Sequence, residues 1–415
     1  REIHAQQQNV NKAPAGAARD ERRSAFLRRM AQWAGEARQR AMLHALHSPR
    51  QLQERMTWFW LNHFSVFIGK SAHMRVLAPD YEARAIRPHA LGSFRALLAA
   101  TMRHPAMLIY LENHQNRAGR INENYARELM ELHTLGVDGG YTQQDVETLA
   151  RILTGLGVNF TEATPELPDP QRRQYAREGV FEFDPRRHDF GAKTLLGQRI
   201  AGAGLAEIDQ VADILAAHPA TARHVAGKLA VFFVGDRPPD ALVRAVARRF
   251  GDSRGDIAAT LRTLFEHAAF QQSLREDDFK DPARFLLGGR RLVHGAGPPI
   301  VNAEPAVGWL SPLGQPLYGR ETPDGYPLDR TQWQGSGQMA MRFNLARALG
   351  AANPQLFAAP GRPPDKRNVP DTARKLYEHA LAKGLREPTR AALAQARGNY
   401  EWNTLLLSSP DFMNR

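Results

Sequence analysis

Apolar side chains recur every three or four positions along most of this 415-residue chain, which is the period of an amphipathic helix. Near the amino terminus the pattern is carried by Phe26, Met30, Trp33, Leu52, Met56, Phe59 and Trp60. Ser48-Pro49 interrupts it as a helix start would, so we predict helices over 20–47 and 51–67. The same reasoning predicts helices over 88–101, 105–113, 122–136, 143–154, 204–217, 218–234, 239–250, 256–268, 371–383, 388–397 and 401–407.

Two stretches break the helical period. Within 158–200 the alternation of apolar and acidic residues at 180–184 predicts a short strand, and we expect 193–197 to pair with it as a small hairpin. Residues 295–337 contain too many prolines and glycines for a helix and predict a long irregular segment. Its large rings argue that it is ordered and wraps the helical body: Trp309, Tyr318, Tyr326 and Trp333.

Together these patterns predict an all-α fold. We expect a multi-helix single domain over residues 19–415, with a small β-hairpin insertion and a long irregular aromatic-rich loop. Residues 1–18, rich in Gln, Asn and Ala, predict a flexible lead-in. The longest strongly apolar run, 229–234, is far shorter than the roughly 20 residues that span a bilayer, so no transmembrane segment is expected.

Composition narrows the classes of function. The absence of cysteine excludes disulfides, thiolate zinc sites and cysteine nucleophiles. The net charge of +12 would favour nucleic acid if it were clustered, but the arginines are spread along the chain and only 19–40 is densely basic, which makes nucleic acid an unlikely partner. The sequence lacks His-Glu-x-x-His, Gly-x-Ser-x-Gly, a Walker loop and Gly-x-Gly-x-x-Gly, so the zinc-protease route and nucleotide cofactors are unsupported.

The helix predicted over 122–136 is unusually charged. Glu123 and Arg127 are four residues apart, as are Asn124 and Glu128, so the members of each pair are neighbours on the helix surface. A solvated, salt-bridged face is one interpretation. In the other, Glu123 and Glu128 hold a divalent cation such as Mg²⁺ or Ca²⁺, with the Asn124 amide directed at the same metal or substrate. Arg127 would bind an acidic substrate group, and Glu128 could also transfer protons.

Three histidines stand beside polar or acidic neighbours. His188 precedes Asp189 on a glycine-flanked loop after the predicted strand, and loops of this kind often carry site residues. Because histidine is the natural general base near neutral pH, we predict His188 and Asp189 as catalytic, with His63 binding substrate. His133, beside Thr134, is a weaker candidate, and for each histidine a structural role is the alternative.

Aromatic and basic residues elsewhere are open to two interpretations. Trp309 and Tyr318 could stack on sugar rings at a cleft or anchor the irregular segment in the core. The His218-Pro219 block and Lys228 indicate a helix start and its polar face, and we assign them no catalytic role. Thr142, with Asp145 three residues later, predicts a capping box for the helix over 143–154.

Residues 122–142, NENYARELMELHTLGVDGGYT, followed by QQDV, resemble the signature of the bacterial family DUF1800, a domain of unknown function. Similar blocks occur at 58–64 (WFWLNHF), 86–92 (IRPHALG) and 183–189 (FDPRRHD), within a match over about residues 50–415. The resemblance implies no particular catalytic residues. It does imply export, to the periplasm or the medium, and a DUF1501-like partner that resembles sulfatases and alkaline phosphatases.

Two functions follow as hypotheses. The first is an exported, metal-dependent enzyme that acts on a polar or anionic substrate such as a glycan or a phosphate or sulfate ester. The second is a non-catalytic helical accessory protein, whose charged helix and basic amino-terminal segment contact the sulfatase-like partner. Because the chain begins at Arg1 without the apolar core of a signal peptide, export would require a segment removed upstream.

Overall fold

The structure is a computed structural model that describes residues 2–161, 163–295, 299–358, 362 and 368–414. In chain order the helices are α1 (Glu2–Lys12), α2 (Ala17–His47), α3 (Gln51–His63), α4 (Met74–Tyr81), α5 (Phe94–Arg103), α6 (Pro105–Tyr110), α7 (Asn124–Glu131), α8 (Gln143–Ile152), α9 (Asp169–Arg172), α10 (Ala206–Ala217), α11 (Pro219–Phe233), α12 (Asp240–Asp252), α13 (Ile257–Glu266), α14 (Ala268–Ser273), α15 (Pro282–His294), α16 (Glu304–Leu310), α17 (Ser336–Gly350), α18 (Thr372–Leu376), α19 (Glu387–Ala394), α20 (Asn399–Ser408) and α21 (Pro410–Met413). The strands are β1 (Leu156–Val158), β2 (Ala176–Glu178), β3 (Phe181–Phe183), β4 (Lys193–Leu195) and β5 (Gln198–Ile200).

The many helices and the few short strands confirm the predicted all-α class. One apolar core runs from Ala34 and Met42 on α2 to Phe412 and Met413 on α21. Helices adjacent in the chain pack on one another within it, α7 with α8 and α11 with α12 and then α13. Two smaller apolar clusters accompany it, and the single-domain organisation over residues 19–415 stays a prediction.

Helices α4, α15 and α17 lie where the apolar pattern predicted none. Pro79 inside α4 and the Gly288-Gly289 pair inside α15 are helix breakers that obscured the helical period. The glycines have a packing reason, because a Cβ at Gly289 would lie 2.9 Å from Leu349 of α17. Close helix approach thus overrides local propensity here.

The amino-terminal residues differ from the predicted flexible lead-in. Glu2–Lys12 form α1, which buries Ile3 and Val10 against Phe26 and Met30 of α2. The polar composition concealed this narrow apolar stripe, which is too small to be evident without the partner helix.

The β-structure also corrects the prediction. The strand at 181–183 is the centre of a three-stranded antiparallel sheet in the order β1-β3-β2, with Leu156 and Ala176 both opposite Phe183. It does not pair with 193–197, because β4 forms its own two-residue-turn hairpin with β5. The turn residues Leu196 and Gly197 both have positive φ, which fits a type I′ turn.

The irregular segment predicted over 295–337 wraps the body as expected, although α16 lies within it and residues 296–298 fall outside the described part. Tyr318 and Trp333 are buried, and the peptide N–H of Ile68 donates to the Tyr318 carbonyl at 2.9 Å. The Trp309 ring covers the buried guanidinium of Arg290 at 4.5 Å. These contacts favour the anchoring interpretation of the aromatic residues.

A buried ionic triad fixes the 158–200 insertion to α10. The Glu207 carboxylate accepts from His188 Nε2 at 2.9 Å and from Lys193 Nζ at 2.8 Å, and all three side chains are fully inaccessible to solvent. Burial raises the pKa of Glu207, but the hydrogen bonds from His188 and Lys193 outweigh it and hold this pKa below its ordinary value. The triad therefore depends on an ionised Glu207.

We expect Glu207→Ala to lower the free energy of unfolding by about 3–5 kcal/mol, since it leaves the buried Lys193 and His188 without their counter-charge. Urea unfolding at pH 7 measures this. The matched control is Asp213→Ala, which removes an exposed partner of Arg95 and should cost less than about 1 kcal/mol. Equal losses in the two variants would contradict a dominant role for the triad.

The triad also predicts an acid dependence. Because the folded-state pKa of Glu207 is lowered, its stabilisation is fully present above the ordinary value of 4.5 and is lost as pH falls through the folded-state value. The stability difference between wild type and Glu207→Ala should therefore narrow when urea unfolding is repeated below pH 4.5. A difference that widens on acidification would show that the pKa shift has the opposite sign.

Candidate functional site

The charged helix is shorter than predicted and ends in a wide turn. The Asn122 Oδ1 accepts from the Asn124 N–H at 3.0 Å, as a helix start requires, but α7 stops at Glu131. The Leu135 N–H then donates to the Met130 carbonyl at 2.8 Å, five residues back, and Gly136 has a φ of 82°. This turn directs His133 into the interior, where its side chain is fully buried.

Glu123 and Asn124, which were predicted to act together with Glu128, bind different partners within the protein. Glu123 accepts from Arg127 at 3.0 Å and from Gln143 at 2.9 Å, whereas the Asn124 amide donates to the Leu111 carbonyl at 3.1 Å. In the described residues no three or more His, Cys, Asp or Glu side chains are placed to hold one metal ion. A divalent cation at Glu123 and Glu128 stays a prediction without support from this geometry.

The predicted catalytic pair, His188 and Asp189, lies at the buried triad that His188 forms with Glu207 and Lys193. His188 Nδ1 meets the Thr154 carbonyl at 2.7 Å while its Nε2 meets Glu207, so both ring nitrogens are engaged inside the protein. Asp189 pairs with Arg151 at 2.8 Å, and this hydrogen bond lowers its pKa. The geometry favours a structural role for both residues.

His63 lies instead in a cluster of three histidines. Its Nε2 is 3.0 Å from the His133 carbonyl oxygen, and its ring centroid is 6.1 Å from that of His133 and 6.0 Å from that of His224. Nδ1 of His63 and both ring nitrogens of His133 are buried and lack a hydrogen-bond partner among the residues described. Burial lowers the pKa of His63 far below its ordinary value and that of His133 to about 3, so both imidazoles are neutral at pH 7.

Lys228 stands beside this cluster on α11, one helical turn after His224. Its charge further lowers the pKa of His63, His133 and His224, after the larger effect of burial. The side chain is partly buried, and it makes no hydrogen bond or ion pair with the part of the chain that is described. Burial lowers the pKa of Lys228 to about 8, although Asp324 partly offsets the shift.

A loop from Gly319 to Tyr326 carries Asp324 and is attached to Asn62, the residue before His63. The Asn62 side chain binds both backbone groups of Tyr326, accepting from its N–H at 2.6 Å and donating to its carbonyl at 2.9 Å. Gly325, with a φ of 78°, lies so close that a Cβ would be 2.2 Å from the Asn62 carbonyl oxygen. The Tyr110 hydroxyl donates to the Glu321 carbonyl at 2.7 Å, so the loop is held from two sides.

The loop sets an acidic pair against α7. Burial raises the pKa of Glu128, and the charges of Glu131 and Asp324 raise it further despite Arg127. Burial also raises the pKa of Asp324, but hydrogen bonds from Arg320, at 2.7 and 3.1 Å, and from Thr322 reverse this and hold it below its ordinary value. The charge of Asp324 thus helps to raise the pKa of Glu128, while the pKa of Asp324 itself is lowered.

Of the residues predicted from sequence, Glu128 and His63 belong to this centre, while Lys228, His224 and Asp324 were missed. His224 and Lys228 are four residues apart on one helix face, a signal present in the sequence. Asp324 stands in Pro323-Asp324-Gly325, an ordinary turn motif whose docking on Asn62 no local pattern indicates.

The model of the family described as "Protein of unknown function (DUF1800)" matches residues 2–414. The chain belongs to the DUF1800 family. The match extends the resemblance seen over about residues 50–415 to α1 and the whole of α2. Comparisons with curated proteins and with solved structures find no match to this DUF1800 protein. None of its described helices is both long and apolar enough to cross a membrane.

We expect Asn62→Ala to loosen the loop that carries Asp324, because it removes both hydrogen bonds to the Tyr326 backbone. Since each such bond contributes about 0.5–1.5 kcal/mol, tryptic cleavage after Arg320 in the folded protein should become roughly tenfold faster. Mass spectrometry of the released peptides measures this rate. Asn302→Ala, which removes an exposed amide bonded to the Gln355 carbonyl, is the control, and an equal effect there would contradict the prediction.

Proposed function

We propose that this DUF1800 protein is an exported enzyme that hydrolyses a glycosidic bond of its substrate. In this proposal Glu128 and Asp324 lie on either side of that bond. The observation that carries the proposal is the attachment of the Asp324 loop at Asn62 and Tyr110, which fixes its position. The pKa values of the two carboxyl groups support it, since they are displaced upward for Glu128 and downward for Asp324. Environments that separate two carboxyl groups in this way assign one as the proton donor and the other as the ionised partner.

Glycoside hydrolysis uses such a pair. A carboxylic acid protonates the leaving oxygen, and a carboxylate on the other side of the bond activates water or attacks the sugar. Glu128, whose proton is retained to higher pH, suits the first role, and Asp324 suits the second. The half-buried ring of Tyr141, whose pKa is raised by burial and then by Glu131, lies beside the acidic side chains and offers a face for a sugar.

The other substrate classes suggested by the sequence fit this centre less well. A phosphate or sulfate ester would place negative oxygens at its reacting atom, among Glu128, Glu131 and Asp324. Coulomb repulsion in a partly desolvated site would oppose that placement. A glycosidic bond is neutral and does not meet this obstacle.

The second candidate is the non-catalytic accessory protein. The first half of α2 buries only Phe26 and Met30, which leaves the following side chains exposed: Arg22, Arg23, Leu27, Arg28 and Arg29. An arginine-rich helix face of this kind suits an acidic protein surface, such as one on a sulfatase-like partner. Co-purification that is lost on reversing these arginine charges, together with full tolerance of changes at Glu128, would favour this candidate.

We expect Glu128→Gln to lower kcat by about 10²- to 10⁴-fold, the usual contribution of a positioned acid. Reducing-end release from a panel of oligosaccharides measures it. The wild-type rate should also fall as pH rises through the raised pKa of Glu128, because the proton donor is then lost.

The matched control is Glu123→Gln on the same helix. Glu123 is occupied by Arg127 and Gln143, so its loss should leave kcat within a fewfold of wild type. If both substitutions abolished turnover, and elemental analysis of natively purified protein found a stoichiometric ion, the metal-ligand interpretation of Glu123 and Glu128 would replace this one. Undiminished turnover in Glu128→Gln and Asp324→Asn would refute the acidic pair.

A further inference from the structure

A small cavity lies beside the contact between Asn62 and Tyr326, which both line it. Its volume of about 20 Å³ has room for one particle the size of a water molecule. Residues of α3, α11, the start of α15 and the segment 326–333 enclose it. Four charged side chains reach the cavity, three basic and one acidic: Arg55, Arg284, Arg330 and Asp281. Positive charge therefore exceeds negative charge on its lining.

Hydrogen-bond donors on this lining are only partly used. Arg284 binds Asp278 through Nη2 at 3.0 Å, and its Nε and Nη1 make no hydrogen bond with the residues described. The Gln315 Oε1 accepts from the Ala283 N–H at 2.8 Å, which leaves the Gln315 amide nitrogen as a donor. Gln315 is only 3% exposed, so bulk water has little access to that donor. The cavity thus offers donors from two segments of the chain to a group that accepts them.

The acidic side chains nearby do not cancel the charge of the cavity. Asp281 caps α15 by accepting a backbone N–H of the first turn at 3.0 Å, and its Oδ2 is 3.9 Å from Arg55. Asp236 and Asp278 pair with Arg330 but do not line the cavity. A particle in the cavity would therefore be surrounded by three guanidinium groups and one carboxylate.

We propose that this cavity binds one small monovalent anion, chloride or a halide of similar size, through Arg284 and Gln315. Guanidinium and amide N–H groups bind anions through charge-assisted hydrogen bonds. Sulfate and phosphate are too large for a volume that holds one water molecule. The proposal does not depend on the proposed function, because none of these residues takes part in the hydrolysis.

The bound anion fastens the segment that follows the Asp324 loop. Tyr326, Arg330 and Trp333 line one side of the cavity, and Asn62, which binds the Tyr326 backbone, belongs to α3 on another side. Opening of the loop separates these sides and releases the anion. Because a ligand that binds only the closed form favours that form by mass action, chloride should keep the loop closed.

The experiment is tryptic cleavage after Arg320 in the folded full chain, in sodium chloride and in sodium gluconate. Gluconate does not fit the cavity, and equal ionic strength keeps the screening of ion pairs constant. We expect cleavage to be about tenfold slower in about 100 mM chloride, as for a site with a Kd of about 10 mM. Cleavage of a short peptide in both buffers corrects for any effect of the salts on trypsin. Equal rates in the two salts would overturn the proposal.

A matched pair of variants tests the assigned residues. Gln315→Glu keeps the acceptor for the Ala283 N–H but replaces the free donor with a negative oxygen, so the chloride effect should disappear. Gln271→Glu makes the same charge change at an exposed amide bonded to the Phe265 carbonyl and should leave the chloride effect unchanged. A chloride effect that persists in Gln315→Glu would contradict the assignment.

A measurement on the wild-type protein needs no variant. Crystals grown in sodium bromide should show an anomalous bromide peak inside the cavity, within hydrogen-bond distance of Arg284 and Gln315. Bromide at surface sites alone, an adventitious ion only, or a water molecule in the cavity would overturn the proposal. Neither outcome alters the test of Glu128→Gln, so failure here would leave the proposed function standing.

Discussion

The site depends on the hydrogen bonds between the Asn62 side chain and the backbone of Tyr326, two residues 264 positions apart in the chain. They hold the loop that carries Asp324 against the end of α3, and the neighbouring His63 begins the buried imidazole cluster. Gly325 allows the contact, since any Cβ would collide with the Asn62 backbone. Without this attachment the loop that carries the half-exposed Asp324 would be held to the body only through Tyr110 and Glu321.

The role of a charged side chain in this protein depends more on its burial and its partners than on the net charge of the chain. The most deeply enclosed ionic group, Glu207, is saturated by His188 and Lys193 and serves stability. Lys228 is only partly buried and makes no hydrogen bond or ion pair with the described residues. The proposed acidic centre is compatible with the net charge of +12, because basic side chains beside it pair locally, as Arg127 does with Glu123 and Arg320 with Asp324.

The apolar period was sufficient for the fold class and for most helices, because burial of one face is a local property. It was insufficient where tertiary contacts decide, as for α1, for α15 with its paired glycines, and for the partner of β3. The residues of the candidate site also divide into those that a local pattern indicates and those that depend on tertiary contacts. Glu128 was visible on a charged helix and His63 beside a polar neighbour, but Asp324 and Lys228 acquire their environment only from segments distant in sequence. His188 and Asp189 show the opposite error. Their sequence pattern is typical of a catalytic site, but their contacts hold the 158–200 insertion in place.

The wide turn after α7 behaves as a spacer of fixed length. The Glu128 carbonyl accepts from the peptide N–H groups of both Leu132 and His133, at 2.9 and 3.2 Å, so the acidic side chain and the buried imidazole originate from one hydrogen-bonded unit. Removing one residue between them would rotate His133 by about 100°, out of the interior. Substitution of the exposed Val137 should therefore be tolerated, whereas an insertion or deletion between Glu128 and His133 would break the hydrogen-bonded unit.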